Sequence, residues 1–563
     1  MKNLQHDSPL QRHTVGWLAA LVLLAQVPHY LHLPWWISFL AALLVLFRLQ
    51  GLNKPALLHS HWKTTLGVAL AAGLSAFVLR YHYGYFLGRD PCVAFLFLLV
   101  SFKFVETRTT KDGTLVICLS GFLLLTQYFY AQNIISALVT LPAVLVLGGT
   151  LLNLRDSNRS ETIGRSLTLT AKMLLQGLPI AAALFLLFPR LPAPLWNLPD
   201  DALAQTGLSG SMSPGTISTL SMSDDVAFRV EFDGRVPAPA QRYWRGPVLG
   251  VFDGREWTTN SSATLRPASL SIENKRSRGR PDQSSITGST YTVTLEPHRQ
   301  RWLFALDVAD ALPTALVSGN DIPRALGYMQ INRQLIAPEP INTTLRYRQS
   351  STLENHFVDP SPATTMNTQL AGNNIAAESF AREMRLRYPD DKAYTTAILQ
   401  WFHNEPFHYT LQPDLLGDRP VDEFLFATRR GFCEHYASAF VYLLRAASIP
   451  ARVVTGYLGG KMNGDYMIVR QSDAHAWAEV WIDGSWHRYD PTSAVAPERV
   501  DEGLSSSVPA TDPVPALAGN SPGWLRALHL RWDALDYRWK AAVVNFNNNS
   551  QQKFWQSLGF NTP

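Results

Sequence analysis

Along the first third of the chain, apolar residues come in long runs; beyond it they alternate or recur at helical spacing. The runs lie at about residues 14–28, 34–48, 64–79, 91–105, 113–130, 133–152 and 168–188. LVICLSGFLLLTQYF and SALVTLPAVLVLGGTLLNL come near the roughly 20 residues that cross a bilayer as a helix, whereas the first two runs are short. The pattern predicts a membrane domain of about seven helices over residues 1–189. A Pro, Ser, Gly and Leu rich exit linker follows over 190–223. Between 224 and 350, DVAFRVEFDG, YWRGPVLGVFDGREW, STYTVTLEP, RWLFALDV and TTLRYRQS alternate β-formers with turn residues, which predicts an accessory all-β module whose aromatics fill its core. Over 370–493 the period turns helical in AAESFAREMRL and AYTTAILQWFHNE, then returns to strands. Residues 494–523 are Pro, Ser and Ala rich, a linker or surface wrap. In 524–563, Leu525, Leu528, Trp532, Leu535, Trp539 and Val543 fall at helical spacing and predict an amphipathic helix packed on the domain before it.

Charge adds an orientation. With the N-terminus inside, the inner segments carry Lys2, Arg12, Arg48, Lys54, Lys63, Lys103, Arg108, Lys111, Arg155, Arg159, Arg165 and Lys172, and the outer loops only Arg80 and Arg89. Seven crossings then deliver everything after Pro189 to the outer side. Apolar segments continue long after the first run without a small-residue cleavage site, which argues against a removable signal peptide. His29, His32, His59 and His61 sit near run ends, where interfacial placement is expected. The net charge of +5 over 563 residues is modest and belongs mostly to the membrane loops, so nothing points to nucleic acid. Of three cysteines, Cys92, Cys118 and Cys433, one lies in the exported part, so no disulfide forms there.

The chemistry centres on RRGFCEHYASAF. Gly431 precedes Cys433, and EHYASAFVYLLRAASI continues as a helix up to Pro450, so the thiol belongs to a helix's first turn, where free amides and the dipole favour a thiolate and lower its pKa. His435 does not serve as its base, because positions two apart on a helix point in different directions. The better base is in QSDAHAWAEVWIDGSWHRYDPT, whose alternation puts His475, Trp477, Glu479 and Trp481 on one face of a strand. Asp483-Gly484 is a hairpin signal that pairs Ile482 with Ser485 and Trp481 with Trp486. Continuing that register sets Asp490 opposite Trp477, diagonal to His475 and on its face, with His487 on the other. Cys433, His475 and Asp490 are therefore candidate nucleophile, base and orienting acid. No metal-ligand cluster accompanies them, and no cofactor is expected.

GFCEHYASAF, AHAWAEVW and YDPT resemble the three catalytic blocks of the bacterial transglutaminase-like superfamily. The membrane block with ETRTTKDGTLVICLSGFLLLTQ and the YWRGPVL and FDGREW segments further resemble its membrane-anchored members of the TgpA type. The resemblance implies a papain-like α+β catalytic core over 370–493 and gives Cys433, His475 and Asp490 the roles already read from the residues. It implies acyl transfer through a thioester: attack on a glutamine carboxamide, loss of ammonia, and capture by an amine. An oxyanion donor is expected from the Cys433 amide or, by fold analogy, Tyr409. It also implies a further spanning helix and cytoplasmic tail, and this sequence stops at GFNTP before either. The implied setting is a bacterial inner membrane, with the lipid bilayer and a cell-envelope protein or peptidoglycan peptide as partners. Two rivals stand beside the transferase: a cysteine peptidase or amidase with the same triad, and a nonenzymatic envelope-binding protein, which has no need of all three residues.

Overall fold

The computed structural model describes residues 10–51, 61–155, 163–187, 207–259, 288–316, 324–358, 365–515 and 523–539, apart from positions 31, 86, 87, 131, 331 and 510, with four scattered residues beyond. It falls into two compact units, 1–204 with 532–563, and 205–531.

In the first unit each apolar run becomes a helix: α1 (Arg12–Gln26), α2 (Trp35–Gly51), α3 (His61–Tyr83), α4 (Arg89–Glu106), α5 (Thr110–Thr126), α6 (Ile134–Arg155) and α7 (Ile163–Leu187). Thr65–Tyr83, Thr110–Phe129, Ile134–Leu154 and Gly164–Leu186 are long and apolar enough to cross a membrane, by length and composition. In α4 the charges stand at the two ends, Arg89 and Asp90 at one and Lys103 and Glu106 at the other. α5 opens on a capping box, Thr109 and Asp112 each accepting the other's backbone N–H. Lys103 ties the α4 end to this box, 3.0 Å from Glu106 and 3.2 Å from Asp112. The ETRTTKDG segment is thus a tight inter-helix corner.

Of the histidines near run ends, His29 closes the turn after α1. His29 is buried, and its Nε2 lies 3.0 Å from the Leu123 carbonyl. That carbonyl is in the last turn of α5, where helical partners run out, so a buried donor is met by a buried acceptor. His32 is exposed; His59 and the side chain of His61 lie outside the described residues.

The second unit is built on two large antiparallel sheets. One runs in the order Ser211–Met212, Trp257–Thr259, Tyr243–Phe252, Ala451–Leu458, Ala474–Ile482, Ser485–Tyr489, His356–Phe357. The other runs Arg324–Ala325, Thr314–Ala315, Leu345–Thr352, Gly288–Leu295, Val226–Phe232, Tyr466–Arg470, Lys461–Asn463. The strands expected from YWRGPVLGVF, VAFRVEF, STYTVTL and LRYRQS are all present, and the aromatics Trp244, Tyr291 and Tyr347 fill the core.

The module of 224–350 is not a separate layer, however. Both sheets mix its strands with strands from 451–489, and one apolar cluster joins Phe228, Trp244 and Tyr347 to Phe432, Tyr436 and Ala476. Strand edges exposed on either part alone are covered by the other. Nor is all of 190–223 a linker, since Ser211–Met212 pairs with Trp257–Thr259 and Thr216–Leu220 is a short helix. The helix Gly523–Trp539 forms where amphipathic spacing placed it, with Leu528 and Leu535 exposed, but from Trp532 on it belongs to the first unit and not to the domain before it.

The helix Cys433–Ala446 is buried at nearly every position. The strand Ala474–Ile482 turns Ala474, Ala476, Ala478 and Val480 into the cluster that contains this helix. Three alanines in alternation leave room for a helix to lie close against the sheet. The opposite face carries Trp477, packed with Tyr243, Val248, Val454 and Leu458. Further along that face Glu479 is buried between two arginines from neighbouring strands, Arg245 and Arg452, the latter at 2.8 Å.

Candidate active site

The hairpin that places the site has the predicted turn. Asp483 and Gly484 have φ of 52° and 82°, the paired left-handed conformations of a two-residue turn matched to strand twist. Ile482 faces Ser485 and Trp481 faces Trp486, and the ladder continues through Ala478 and Tyr489. One position further, Asp490 Oδ2 lies 2.8 Å from His475 Nε2. The expected diagonal is the observed one, and His487 is away from the site, paired with His356.

Asp490 is held from two other directions. The Tyr243 hydroxyl donates to Oδ2 at 2.8 Å, and the Thr492 amide donates to Oδ1 at 3.0 Å. Burial pushes this carboxyl up, but His475 and the two donors outweigh it and hold it below the ordinary carboxylate range. Tyr243 is itself fixed: the Arg488 guanidinium stacks 3.7 Å over its ring, and Arg488 is clamped on Asp307 through two bonds of 3.0 and 3.2 Å.

His475 is fully buried. Its Nε2 is committed to Asp490, and its Nδ1 is buried with no hydrogen-bond partner among the described residues. With the Nε2 proton donated to the carboxylate, Nδ1 is the available lone pair. Burial lowers the imidazole pKa and Asp490 offsets this only in part, so the ring is neutral at rest.

Cys433 starts its helix, after Phe432 in extended conformation. Its thiol accepts a hydrogen bond from the Ala476 amide, one residue beyond His475, which brings Cys433 to the stretch of strand that carries His475. The expected depression of the thiol pKa is overturned in this closed site. Burial, with Glu434 adding to it, pushes the thiol up, against the opposing pull of Arg499 and the Ala476 amide. A helix terminus contributes a fraction of a charge, too little to offset removal of a thiolate from water. Cys433 and His475 are therefore each neutral at rest, and both are 0% exposed.

Tyr409 reaches the site through a two-residue parallel pairing of His408–Tyr409 with Arg430–Gly431. Its hydroxyl is buried and feels both Cys433 and Arg499, without a well-formed hydrogen bond. His435, excluded as the base by its position on the helix, instead closes the helix start, its Nδ1 accepting the Phe432 amide at 3.2 Å. Burial lowers its pKa to about 4 and keeps it an acceptor. Glu434 accepts the Gly215 amide at 2.6 Å and the Ile217 amide at 2.8 Å, fastening the folded part of the linker to the same helix start.

Tyr243, Arg488, Glu434 and Arg499 were absent from the sequence-derived site. Tyr243 opens the YWRGPVL segment, and its role follows only once that strand is known to lie beside Ala451–Leu458. Among the described residues no group of three or more metal-ligating side chains occurs.

The chain carries the transglutaminase-like superfamily domain, whose family model matches residues 378–491, behind a TgpA N-terminal domain matching residues 17–357. It belongs to the TgpA family of transglutaminase-like proteins, since it is 36% identical to the protein-glutamine gamma-glutamyltransferase of Pseudomonas aeruginosa across 97% of this chain and 80% of that one. Uncharacterized protein YebA of Bacillus subtilis is 43% identical over 79 residues, 13% of this chain and 11% of that protein. The crystal structure of the periplasmic domain of TgpA from Pseudomonas aeruginosa aligns at 38% identity and a TM-score of 0.45, covering 53% of this chain and 98% of that one.

Proposed function

We propose that the chain is a membrane-anchored acyltransferase of the protein-glutamine gamma-glutamyltransferase type, with Cys433 as nucleophile, His475 as base and Asp490 as orienting acid. The observation that carries this reading is the arrangement at His475: Nε2 at 2.8 Å from Asp490 Oδ2, Nδ1 without a partner among the described residues, and the next amide on the strand donating to the Cys433 thiol.

In this mechanism Nδ1 takes the thiol proton as Cys433 Sγ attacks the carboxamide carbon of a glutamine side chain. The tetrahedral species collapses to a thioester as the same proton passes to the leaving nitrogen, which departs as ammonia. A primary amine then gives a proton to His475 and attacks the thioester, forming an isopeptide bond and returning the proton to Cys433. Asp490 stays ionised throughout and orients the ring that becomes charged. The Cys433 amide and Tyr409 are the candidate oxyanion donors.

Transfer is preferred to the peptidase or amidase reading on the likeness to a protein-glutamine gamma-glutamyltransferase. Cys433 and His475 are both 0% exposed, so donor and acceptor alike must open the site as they dock. A purely binding role leaves the buried His475–Asp490 pair unexplained. The outward charge pattern, and a relative whose solved domain is described as periplasmic, support an inner-membrane protein whose 205–531 unit works on envelope proteins or peptidoglycan peptides.

The test is incubation of the full-length protein with a glutamine-containing peptide and a fluorescent primary amine. Wild type is expected to release ammonia and incorporate the amine; Cys433→Ala is expected to lose both, and Asp490→Asn to lose at least roughly a hundredfold in rate. Peptide cleavage without amine incorporation points to the hydrolase instead.

A further inference from the structure

Arg499 lies in the stretch whose composition predicts a linker, on a four-residue helical turn, Glu498–Asp501. It is nevertheless 1% exposed. Its Nη2 donates to the Ala474 carbonyl at 3.3 Å, just before His475. Nε and Nη1 are buried with no hydrogen-bond partner among the described residues. The Tyr409 hydroxyl is a further, loose hydrogen-bond partner of the guanidinium, whose charge acts on Tyr409, Asp473 and Cys433; His475 also feels it. Asp473, whose Oδ2 accepts the Arg470 amide at 2.9 Å, makes no direct ion pair with it among the described residues. A buried guanidinium whose one well-formed hydrogen bond among the described residues is a long one to a carbonyl is costly unless an anion forms beside it.

We propose that Arg499 is the counter-cation of the Cys433 thiolate, a positioning residue that acts by charge on the sulfur during acyl transfer. This rests on the Cys433, His475 and Asp490 reading above. Charge balance makes the case. Once the thiol proton moves to His475, the imidazolium and Asp490 neutralise each other and the thiolate is left over in a site closed to water. Glu434, its neighbour on the helix, and Asp490 beyond the hairpin both oppose a negative sulfur. The neutral Tyr409 hydroxyl and the Ala476 amide also face the thiol, but neither carries a full charge. Arg499 puts a full positive charge within reach of the sulfur, against the carboxyl groups of Glu434 and Asp490 that oppose a thiolate there. The same holds for the anionic tetrahedral species, whose negative charge succeeds that of the sulfur.

The experiment is alkylation of Cys433 in the full-length protein in detergent, followed on the Cys433 peptide by mass spectrometry across a pH series. Neutral iodoacetamide and anionic iodoacetate are compared for wild type, Arg499→Gln, Arg499→Lys and His475→Ala. Arg499→Met, which keeps the stem's bulk, replaces the glutamine variant should that not fold. The expected result for Arg499→Gln is a labelling midpoint higher by about one pH unit or more, hence roughly tenfold slower labelling below it. The rate ratio of iodoacetate to iodoacetamide, which is independent of how much thiolate is present, is expected to fall as well. Arg499→Lys should restore most of both. Equal slowing of both reagents at an unchanged midpoint and ratio, or no rescue by lysine, overturns the proposal and leaves Arg499 as a fastener on the Ala474 carbonyl. A wild-type midpoint near the ordinary thiol value of about 8.5, indifferent to His475→Ala, overturns the triad itself. A midpoint that depends on His475 and not on Arg499 overturns only this inference.

Discussion

Glu434 places a carboxyl group beside the Cys433 thiol, and both are out of water. Burial raises its pKa from 4.5 to about 7, while the amides of Ile217, Gly215 and Thr216 pull it back. Between those two pH values the folded chain holds a proton that the unfolded chain has released. The contribution to stability is therefore greatest below about pH 4.5, falls as the pH rises, and levels off above about 7, a span on the order of 3 kcal/mol. Glu434→Gln removes the titration and keeps one acceptor for the linker amides. Its unfolding free energy, measured against wild type, is expected to improve in relative terms from about pH 5 to about pH 8. Parallel pH curves for the two proteins contradict the assignment. The same variant removes a like charge from Cys433, so its alkylation midpoint is expected to move down, opposite to the shift for Arg499→Gln.

At the scale of elements, the site depends on close approach of three strands. Gly456, on Ala451–Leu458, is paired with His475 on one side and with Arg245 on the other. A Cβ there comes within 2.0 Å of the Trp244 carbonyl and 2.7 Å of the Trp477 ring. The carbonyl belongs to the adjoining backbone and cannot rotate away. Gly456→Ala is expected to cost about 3 kcal/mol and to lower acyl transfer even in the fraction that folds, because Tyr243 and His475 sit on the two strands it pushes apart. Denaturant unfolding beside the amine-incorporation assay checks this; a variant within about 0.5 kcal/mol of wild type contradicts it. These elements also mark what the sequence alone could yield. The hairpin was legible because Asp-Gly fixes a turn and a turn fixes register, which carries Asp490 to His475 without tertiary information. The helix start at Cys433 was legible from local signals. The thiol's pKa was not, since it depends on how deeply the site is covered. The merging of the two β regions was not, because alternation says which face of a strand is buried and not which strand covers its edge. Tyr243 was out of reach because it comes from far along the chain, and Arg499, only nine positions after Asp490, because its Pro, Ser and Ala rich surroundings read as linker.

For the whole molecule, function depends on a parity. Among the described residues four helices pass on length and composition alone, Thr65–Tyr83, Thr110–Phe129, Ile134–Leu154 and Gly164–Leu186. If only these crossed, a chain starting inside would return inside, and the 205–531 unit would face the cytoplasm. Outward delivery requires an odd number, and α4 is the helix on which the count turns. Its Arg89, Asp90, Lys103 and Glu106 lie at the ends, where side chains reach the headgroups, and the interior from Pro91 to Phe102 carries no charge. α1 and α2 enter as a pair and leave the parity unchanged whether or not they span. We therefore predict that Lys111, at the start of α5, and Gln132, between α5 and α6, are on opposite sides, inside and outside respectively. In a chain with Cys92, Cys118 and Cys433 replaced by serine, Gln132→Cys is expected to react with a membrane-impermeant maleimide in intact spheroplasts, and Lys111→Cys only after the membrane is opened. The reverse pattern leaves α4 in the membrane without crossing it and puts the Cys433 site in the cytoplasm. Envelope proteins and peptidoglycan peptides would then be out of its reach whatever its chemistry.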